Sequence, residues 1–130
     1  MHILIAPNAF KNSLGATSVA HAIGEGLRQS KLDCSLEYFP VGDGGDGTAS
    51  LIIQKQKGKI IQVEVHDPFG RKINASFGLI DDNKTAVIEL ANASGIRLLQ
   101  QHELNPMHAT TLGTGELIRH ALDKNINRMI

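Results

Sequence analysis

Tryptophan is absent from this 130-residue chain, and tyrosine and cysteine occur once each. With only four phenylalanines besides, no platform for stacking nucleic-acid bases is expected. Cys34 has no partner for an internal disulfide, which fits a reducing compartment. Neither sign of charge is in surplus, because 13 Lys and Arg balance 13 Asp and Glu. A general binder of nucleic acid or of anionic membrane would carry a basic excess. No run of ~18 apolar residues occurs, so no membrane span is expected. The opening Met1-His2-Ile3-Leu4-Ile5-Ala6-Pro7 is a short strand closed by proline rather than a basic leader with a signal-length apolar region. Also missing are the G-x-x-x-x-G-K-[ST] phosphate loop and the G-x-S-x-G nucleophile elbow. The six histidines (2, 21, 66, 102, 108 and 120) lack paired metal-ligand spacing and read as scattered surface or core residues. Together these absences point to a cytoplasmic globular protein that handles small molecules, with no nucleic-acid or membrane partner.

What the chain does have is glycine concentrated in one place. Val41-Gly42-Asp43-Gly44-Gly45-Asp46-Gly47-Thr48 places four glycines and two aspartates between a strand-like and a helix-like segment. Such density costs backbone entropy and calls for a reason. One reason is close approach of backbone to a ligand. Another is a pair of carboxylates held at a tight turn to grip a cation, and Asp43 and Asp46 suit Mg²⁺, which takes hard oxygen ligands and bridges phosphates. A third is a plain Gly/Asp turn. The run also fits the dinucleotide pattern G-x-G-x-x-G, with Glu64 near the acidic position downstream. Two acids where a pyrophosphate would approach, and a place after the second strand rather than the first, weigh against that reading.

The periodicity predicts an α/β protein. Ile3 to Ala6 is an apolar strand buried on both faces. A loop over Pro7 to Gly15 leads to a helix capped by Thr17 or Ser18 and running to about Ser30, with Val19, Ala20, Ile23 and Leu27 inward. Ser35 to Val41 is a second strand, and Thr48 to Lys57 a second helix. This order implies a parallel pair with a right-handed crossover. After Gly58 the pattern changes to three strands, Lys59–Val65, Lys72–Ile80 and Thr85–Leu90. Asp67-Pro68-Phe69-Gly70 and Asp81-Asp82-Asn83-Lys84 turn between them, giving an antiparallel meander. A domain boundary is therefore expected near Gly58, with residues 1–58 in one α/β domain and 59–130 in part of a second. Ala91–Gly95 reads as a loop or helix start and Glu103–Pro106 as a connecting loop. Thr114 to Lys124 is a helix with Leu117, Ile118, Ala121 and Leu122 inward, and Asn127–Ile130 begins another strand. A chain stopping on a strand suggests a fragment, with an apolar edge prone to self-association.

Three further segments carry candidate chemistry. Pro7-Asn8-Ala9-Phe10-Lys11-Asn12-Ser13 lies beyond the first strand's C-terminal end, where open parallel sheets bind ligands. There Lys11 can neutralise phosphate while Asn8 and Ser13 offer hydrogen bonds. Thr110-Thr111-Leu112-Gly113-Thr114-Gly115-Glu116 opens the last helix with hydroxyls and glycines, either an anion site or an ordinary cap. Glu89 ends an apolar strand, as a site acid or as a structural acceptor.

In order along the chain these motifs resemble the bacterial glycerate kinase family. Ile3-Leu4-Ile5-Ala6-Pro7-Asn8-Ala9-Phe10-Lys11-Asn12-Ser13-Leu14 is similar to its opening I-A-P-D-S-F-K-G-S-L. The Gly42–Thr48 loop resembles D-G-G-E-G-T, and Val87 to Gly95 resembles V-I-E-M-A-x-A-S-G. Asn105-Pro106 followed by Thr110 to Ile118 is similar to N-P and T-T-x-G-T-G-E-L-I. The departures are Asn8 for Asp, Ala9 for Ser, Asn12 for Gly and Asp46 for Glu, and Asn8 loses a carboxylate. The resemblance implies a longer two-domain α/β enzyme, the first domain flavodoxin-like or Rossmann-like and the second inserted, with the active site in the cleft. It implies transfer of the ATP γ-phosphoryl group to D-glycerate, with Mg²⁺ on Asp43 and Asp46. Lys11 would pair with phosphate or the glycerate carboxylate. Thr111, Thr114 and the amides of Gly113 and Gly115 would cradle an anion, as would the backbone of Gly44 and Gly45. Asp43 or Glu89 would orient the attacking hydroxyl. The rival class is a non-catalytic anion-binding module, and a dehydrogenase is the weaker enzyme alternative.

Overall fold

The computed structural model describes every residue except Lys11 and Asn12. The chain divides into two compact units, Met1–Leu51 and Ile52–Ile130.

The first unit is a βαβ element. Strand β1 (His2–Ile5) pairs in parallel with β2 (Ser35–Tyr38), His2 opposite Ser35 and Ile5 opposite Tyr38. Helix α1 (Ala16–Gln29) crosses between them. Its buried stripe is Ala16, Val19, Ala20 and Gly24, the spacing of one helical face. Ile23, expected inward, is 43% exposed although its spacing puts it on the same face as this stripe. The helix begins one residue before Thr17, with Gly15 as N-cap and no side-chain cap. At its other end the Ser30 hydroxyl donates to the Leu27 carbonyl at 2.6 Å. Strand β2 ends earlier than expected because Pro40 has no N–H to continue the ladder. Pairing still resumes beyond it, with the Val41 amide donating to the Pro7 carbonyl at 3.0 Å. The double-sided burial expected of β1 does not hold. Helix α1 covers one face of the pair, and the other face carries Leu4, 55% exposed, and His2, which bonds Ser35 and Glu37.

Helix α2 (Thr48–Lys55) spans the division between the units. It closes with Lys57 in the left-handed region (φ 52°), where the Gly58 amide donates to the Ile53 carbonyl and the Lys57 amide to Gln54. This paired closure ends the helix two residues before the predicted Lys57.

The second unit is built on a four-stranded sheet in the order β3 (Lys59–His66), β4 (Lys72–Ile80), β5 (Thr85–Val87), β6 (Arg128–Met129). The first three strands form the expected antiparallel meander. β6 adds to β5 in parallel, as the apolar end of the chain suggested. Helices α3 (Ala91–Ser94) and α4 (Leu112–Leu122) are joined by two 3₁₀ turns, Ile96–Leu98 and Gln101–Glu103. The mixed α/β class read from the sequence is the class observed. The core gathers Val65, Ala75, Phe77, Leu79, Ala86, Ala93, Leu117 and Ala121. Burying each large apolar side chain here contributes about 1.5–3 kcal/mol. The inward stripe of α4 is narrower than predicted, because Gly113 lets the helix press close to the sheet. Gly113, Leu117 and Ala121 are buried, whereas Ile118 and Leu122 are 37% and 56% exposed.

Candidate functional site

In the first unit, two loops leave the same end of the parallel pair. Residues 6–15 follow β1 and residues 39–47 follow β2, joined at their base by the Val41–Pro7 hydrogen bond. The first loop holds Asn8 and Ser13, both exposed. The Asn8 side chain accepts from the Ala9 amide at 2.6 Å, and the Ser13 amide donates to the Phe10 carbonyl at 3.0 Å. Lys11, the expected phosphate partner, lies outside the described residues.

The second loop is the glycine run. Gly44 and Gly47 hold φ of +93° and +92°, where an L side chain is strained. Asp43 Oδ1 accepts the Gly45 amide at 3.0 Å, a side-chain-stabilised turn. The Thr48 hydroxyl accepts the Gly44 amide at 3.1 Å, and a Cβ on Gly42 would stand 2.5 Å from that same oxygen. Turn geometry therefore accounts for most of the glycines. Asp43, Gly44, Gly45 and Asp46 are all exposed at the sheet end, although the Gly44 and Gly45 amides are already given to Thr48 and Asp43. No group of three His, Cys, Asp or Glu poised for a metal exists among the described residues. A two-carboxylate loop fits Mg²⁺ only where phosphate oxygens and water complete the octahedron.

In the second unit, the strand-end acid and the last helix come together. Glu89 is buried at the exit of β5, and the next carbonyl, Leu90, accepts from the Thr114 hydroxyl at 3.5 Å. Thr114 Oγ1 also lies 2.7 Å from Ser94 Oγ. Thr111 is the N-cap of α4 and is exposed, with no side-chain cap bond. The amides of Gly113 and Thr114 have no acceptor among the described residues, whereas the Gly115 amide already donates to the Thr111 carbonyl at 3.2 Å. Gly113 has a packing role besides. A Cβ there would lie 1.8 Å from the His66 carbonyl oxygen, so α4 meets β3 backbone to backbone. Gly115 faces open space.

Two polar networks in this unit went unread in the sequence. Glu116 accepts from both the amide of His66 (2.7 Å) and its Nδ1 (2.8 Å). Hydrogen bonds from the His66 ring and backbone hold the Glu116 carboxyl below its ordinary value. The second network centres on Arg71. Its Nε donates to Asp67 Oδ2, and its terminal nitrogens reach Glu103 at 2.7 and 3.3 Å and the Leu98 carbonyl at 3.4 Å. Asp67, 2% exposed, also accepts the Phe69 and Arg71 amides at 2.8 and 2.9 Å. Burial alone would raise its pKa, but the bonds from Arg71 and Phe69 outweigh it and lower the value. The i,i+4 spacing of Asp67 and Arg71 around a turn glycine was the available signal. Glu64, which matched the dinucleotide pattern, instead pairs with Lys72 at 2.8 Å across the β3–β4 hairpin.

Beside this network lies a pocket of about 370 Å³. Its walls are Pro68, Ile96, Leu99, Leu104, Pro106 and Ala109, with Ser94, Asn105, Thr110 and Thr111 as its polar groups.

A glycerate kinase family model matches residues 3–130. The chain belongs to the glycerate kinase family. It is 43% identical over 130 residues to a glycerate kinase of Haemophilus influenzae and 42% identical to a glycerate 2-kinase of Escherichia coli. Each alignment takes in the whole chain but 34% of the relative, so the chain spans about a third of these relatives' length. A Salmonella typhimurium LT2 chain, whose crystal structure is described as a glycerate kinase 2, superposes with a TM-score of 0.73 at 42% identity. That match covers 99% of this chain and 34% of the other. The residues that carried the resemblance thus sit in a segment common to glycerate kinases.

Proposed function

We propose that this segment serves an enzyme that transfers the γ-phosphoryl group of ATP to the 2-hydroxyl of D-glycerate. The observation that carries the reading is the shared exit of two loops, residues 6–15 and 39–47, from one end of β1 and β2, within a chain of the glycerate kinase family. Phosphoryl transfer needs positioning and charge neutralisation more than covalent chemistry. Asp43 and Asp46 hold the nucleotide's Mg²⁺, which, when bound, neutralises charge on the phosphate oxygens. Lys11 pairs with a phosphate or with the glycerate carboxylate, Asn8 and Ser13 supply hydrogen bonds to oxygen, and Gly44 and Gly45, with no side chains, let the loop backbone approach the ligand closely. In the second unit, Thr111, Thr114 and the first-turn amides of α4 at Gly113 and Thr114 cradle an anion, favoured by the helix dipole, while Gly115, its amide given to Thr111, leaves open space beside it. Asp43 or Glu89 accepts the proton of the attacking hydroxyl as its oxygen bonds to the γ-phosphorus and ADP leaves. On this reading residues 1–58 belong to a Rossmann-like domain and 59–130 to an inserted one, and the enzyme works in the cytoplasm.

The test is ADP release with D-glycerate and Mg·ATP, measured on a polypeptide of the relatives' full length carrying this segment. Asp43→Ala should lower kcat by at least about a hundredfold with the fold intact. Near-normal turnover in that variant would overturn the assignment. Phosphate binding without any turnover in the unsubstituted protein would favour an anion-binding module instead.

A further inference from the structure

The pocket of the second unit plays no part in the roles above, apart from sharing Thr111 with the proposed anion site. Its volume of about 370 Å³ lies within the range that small molecules occupy. No charged side chain lines it. Six of its ten lining residues are apolar, and the remaining four carry only hydroxyls and one amide. Such a lining rejects an ion and suits an uncharged flat body that needs a few hydrogen bonds at its edge.

The pocket is also held open. Arg71 ties Asp67, Leu98 and Glu103 together, and each is the chain neighbour of a lining residue, Pro68, Leu99 and Leu104. A fourth tie runs from the Thr110 amide to the Pro68 carbonyl at 3.0 Å. Glu103 is fixed further by the Gln100 amide at 2.8 Å. An ion network with a half-exposed guanidinium is a poor way to gain stability, since such pairs are screened by solvent. It is a good way to fix three segments around a space that would otherwise close.

From this we infer that the pocket receives the base of the nucleotide donor, a neutral heterocycle, with Asn105 and the Thr110 hydroxyl at its polar edge. The inference rests on the kinase reading for the identity of the ligand. Thr111 belongs to both the pocket and the N-terminus of α4, so a base lodged here has its phosphates leading toward the unpaired Gly113 and Thr114 amides.

The experiment uses adenosine, which has no phosphate to transfer, so its outcome is independent of turnover. In an NMR titration of the isotope-labelled chain, adenosine should shift the amides of Ile96, Leu99, Leu104 and Ala109 in a saturable way. Ala109→Trp, which fills the pocket from an exposed position, should weaken that binding at least about tenfold. Leu104→Lys, half-exposed and so tolerable to the fold, should do the same. Inosine should bind more weakly than adenosine if the Asn105 amide reads the base edge. No saturable shift at these amides, or shifts unchanged in both variants, would overturn the proposal. So would sedimentation showing that Ala109→Trp breaks a dimer of the chain, because the occupant would then be a second copy. Loss of kinase activity with adenosine binding retained would sink the kinase reading and leave the pocket assignment standing.

Discussion

Replacing Gly113 by alanine should do the opposite of what the same change does two residues away. In the interior of an exposed helix, Gly→Ala stabilises by about 0.5–1 kcal/mol, because the glycine chain has more freedom to lose. At Gly115 a Cβ meets nothing within 4 Å, so that gain should appear in full. At Gly113 the Cβ would sit 1.8 Å from the His66 oxygen, with the Ala93 Cβ also at 3.2 Å. Real Cβ contacts do not fall below 3.0 Å, so α4 must retreat by at least 1.2 Å at that point. The obstacle is strand backbone, which cannot swing aside like a side chain. Retreat loosens Leu117 and Ala121 in the core and lengthens the bonds from His66 to Glu116. Overpacking of this kind costs about 1–3 kcal/mol, so the two alanine variants should differ by about 1.5–4 kcal/mol. Urea unfolding followed by circular dichroism at 222 nm reads the difference as a separation of midpoints in opposite directions from the parent. If both variants moved the midpoint the same way by similar amounts, the close packing of α4 on β3 would be wrong.

Acid should remove part of the stability of the second unit. Asp67 has a folded pKa below its ordinary 3.8, so its contribution is complete above that value and fades as pH falls through the lower folded one. Asp67→Asn should flatten that part of a stability-versus-pH curve measured from pH 6 to 2, and an unchanged slope would contradict the network. Glu116 shifts the same way, by virtue of its His66 bonds, so Glu116→Gln should weaken protection of α4 amides at neutral pH in hydrogen exchange and lose that difference in acid. In the glycine loop, Gly44→Ala should destabilise by about 1 kcal/mol through its positive φ, measurable in the same urea assay, whereas Gly26→Ala, within α1, meets neither strain nor contact and should not. Both edges of the β1–β2 pair lack a strand partner among the described residues. Sedimentation velocity should therefore show concentration-dependent association of the 130-residue chain, and a monomer at all concentrations would refute it.

Periodicity and turn residues were enough to place the strands and helices in order. The meander was legible because Asp67-Pro68-Phe69-Gly70 and Asp81–Lys84 are strong turn formers between apolar runs. Depth was less legible. Ile118 and Leu122 were read as inward with Leu117 and Ala121, yet α4 meets its sheet along Gly113, Leu117 and Ala121, and on α1 Ile23 stays exposed while Ala16, Ala20 and Gly24 are buried. Small side chains permit close approach, and a hydrophobicity pattern does not register that. The Gly/Asp loop was found because its composition is extreme. The Arg71 network was not, because Glu103 lies 32 residues from Arg71 and only the fold brings it to the β3–β4 turn. The pocket was invisible for the same reason, since its walls come from the hairpin turn, the 3₁₀ segments and the approach to α4.

The guanidinium of Arg71 answers two acids at once, and its loss would leave the buried Asp67 carboxylate without a cation. Substitution at any one of the three positions should be purged in related chains unless the others change in the same step. The rim of the pocket should thus drift freely at its apolar walls while its frame alters only by wholesale exchange, leaving descendants that differ in what they accept but not in how the opening is braced.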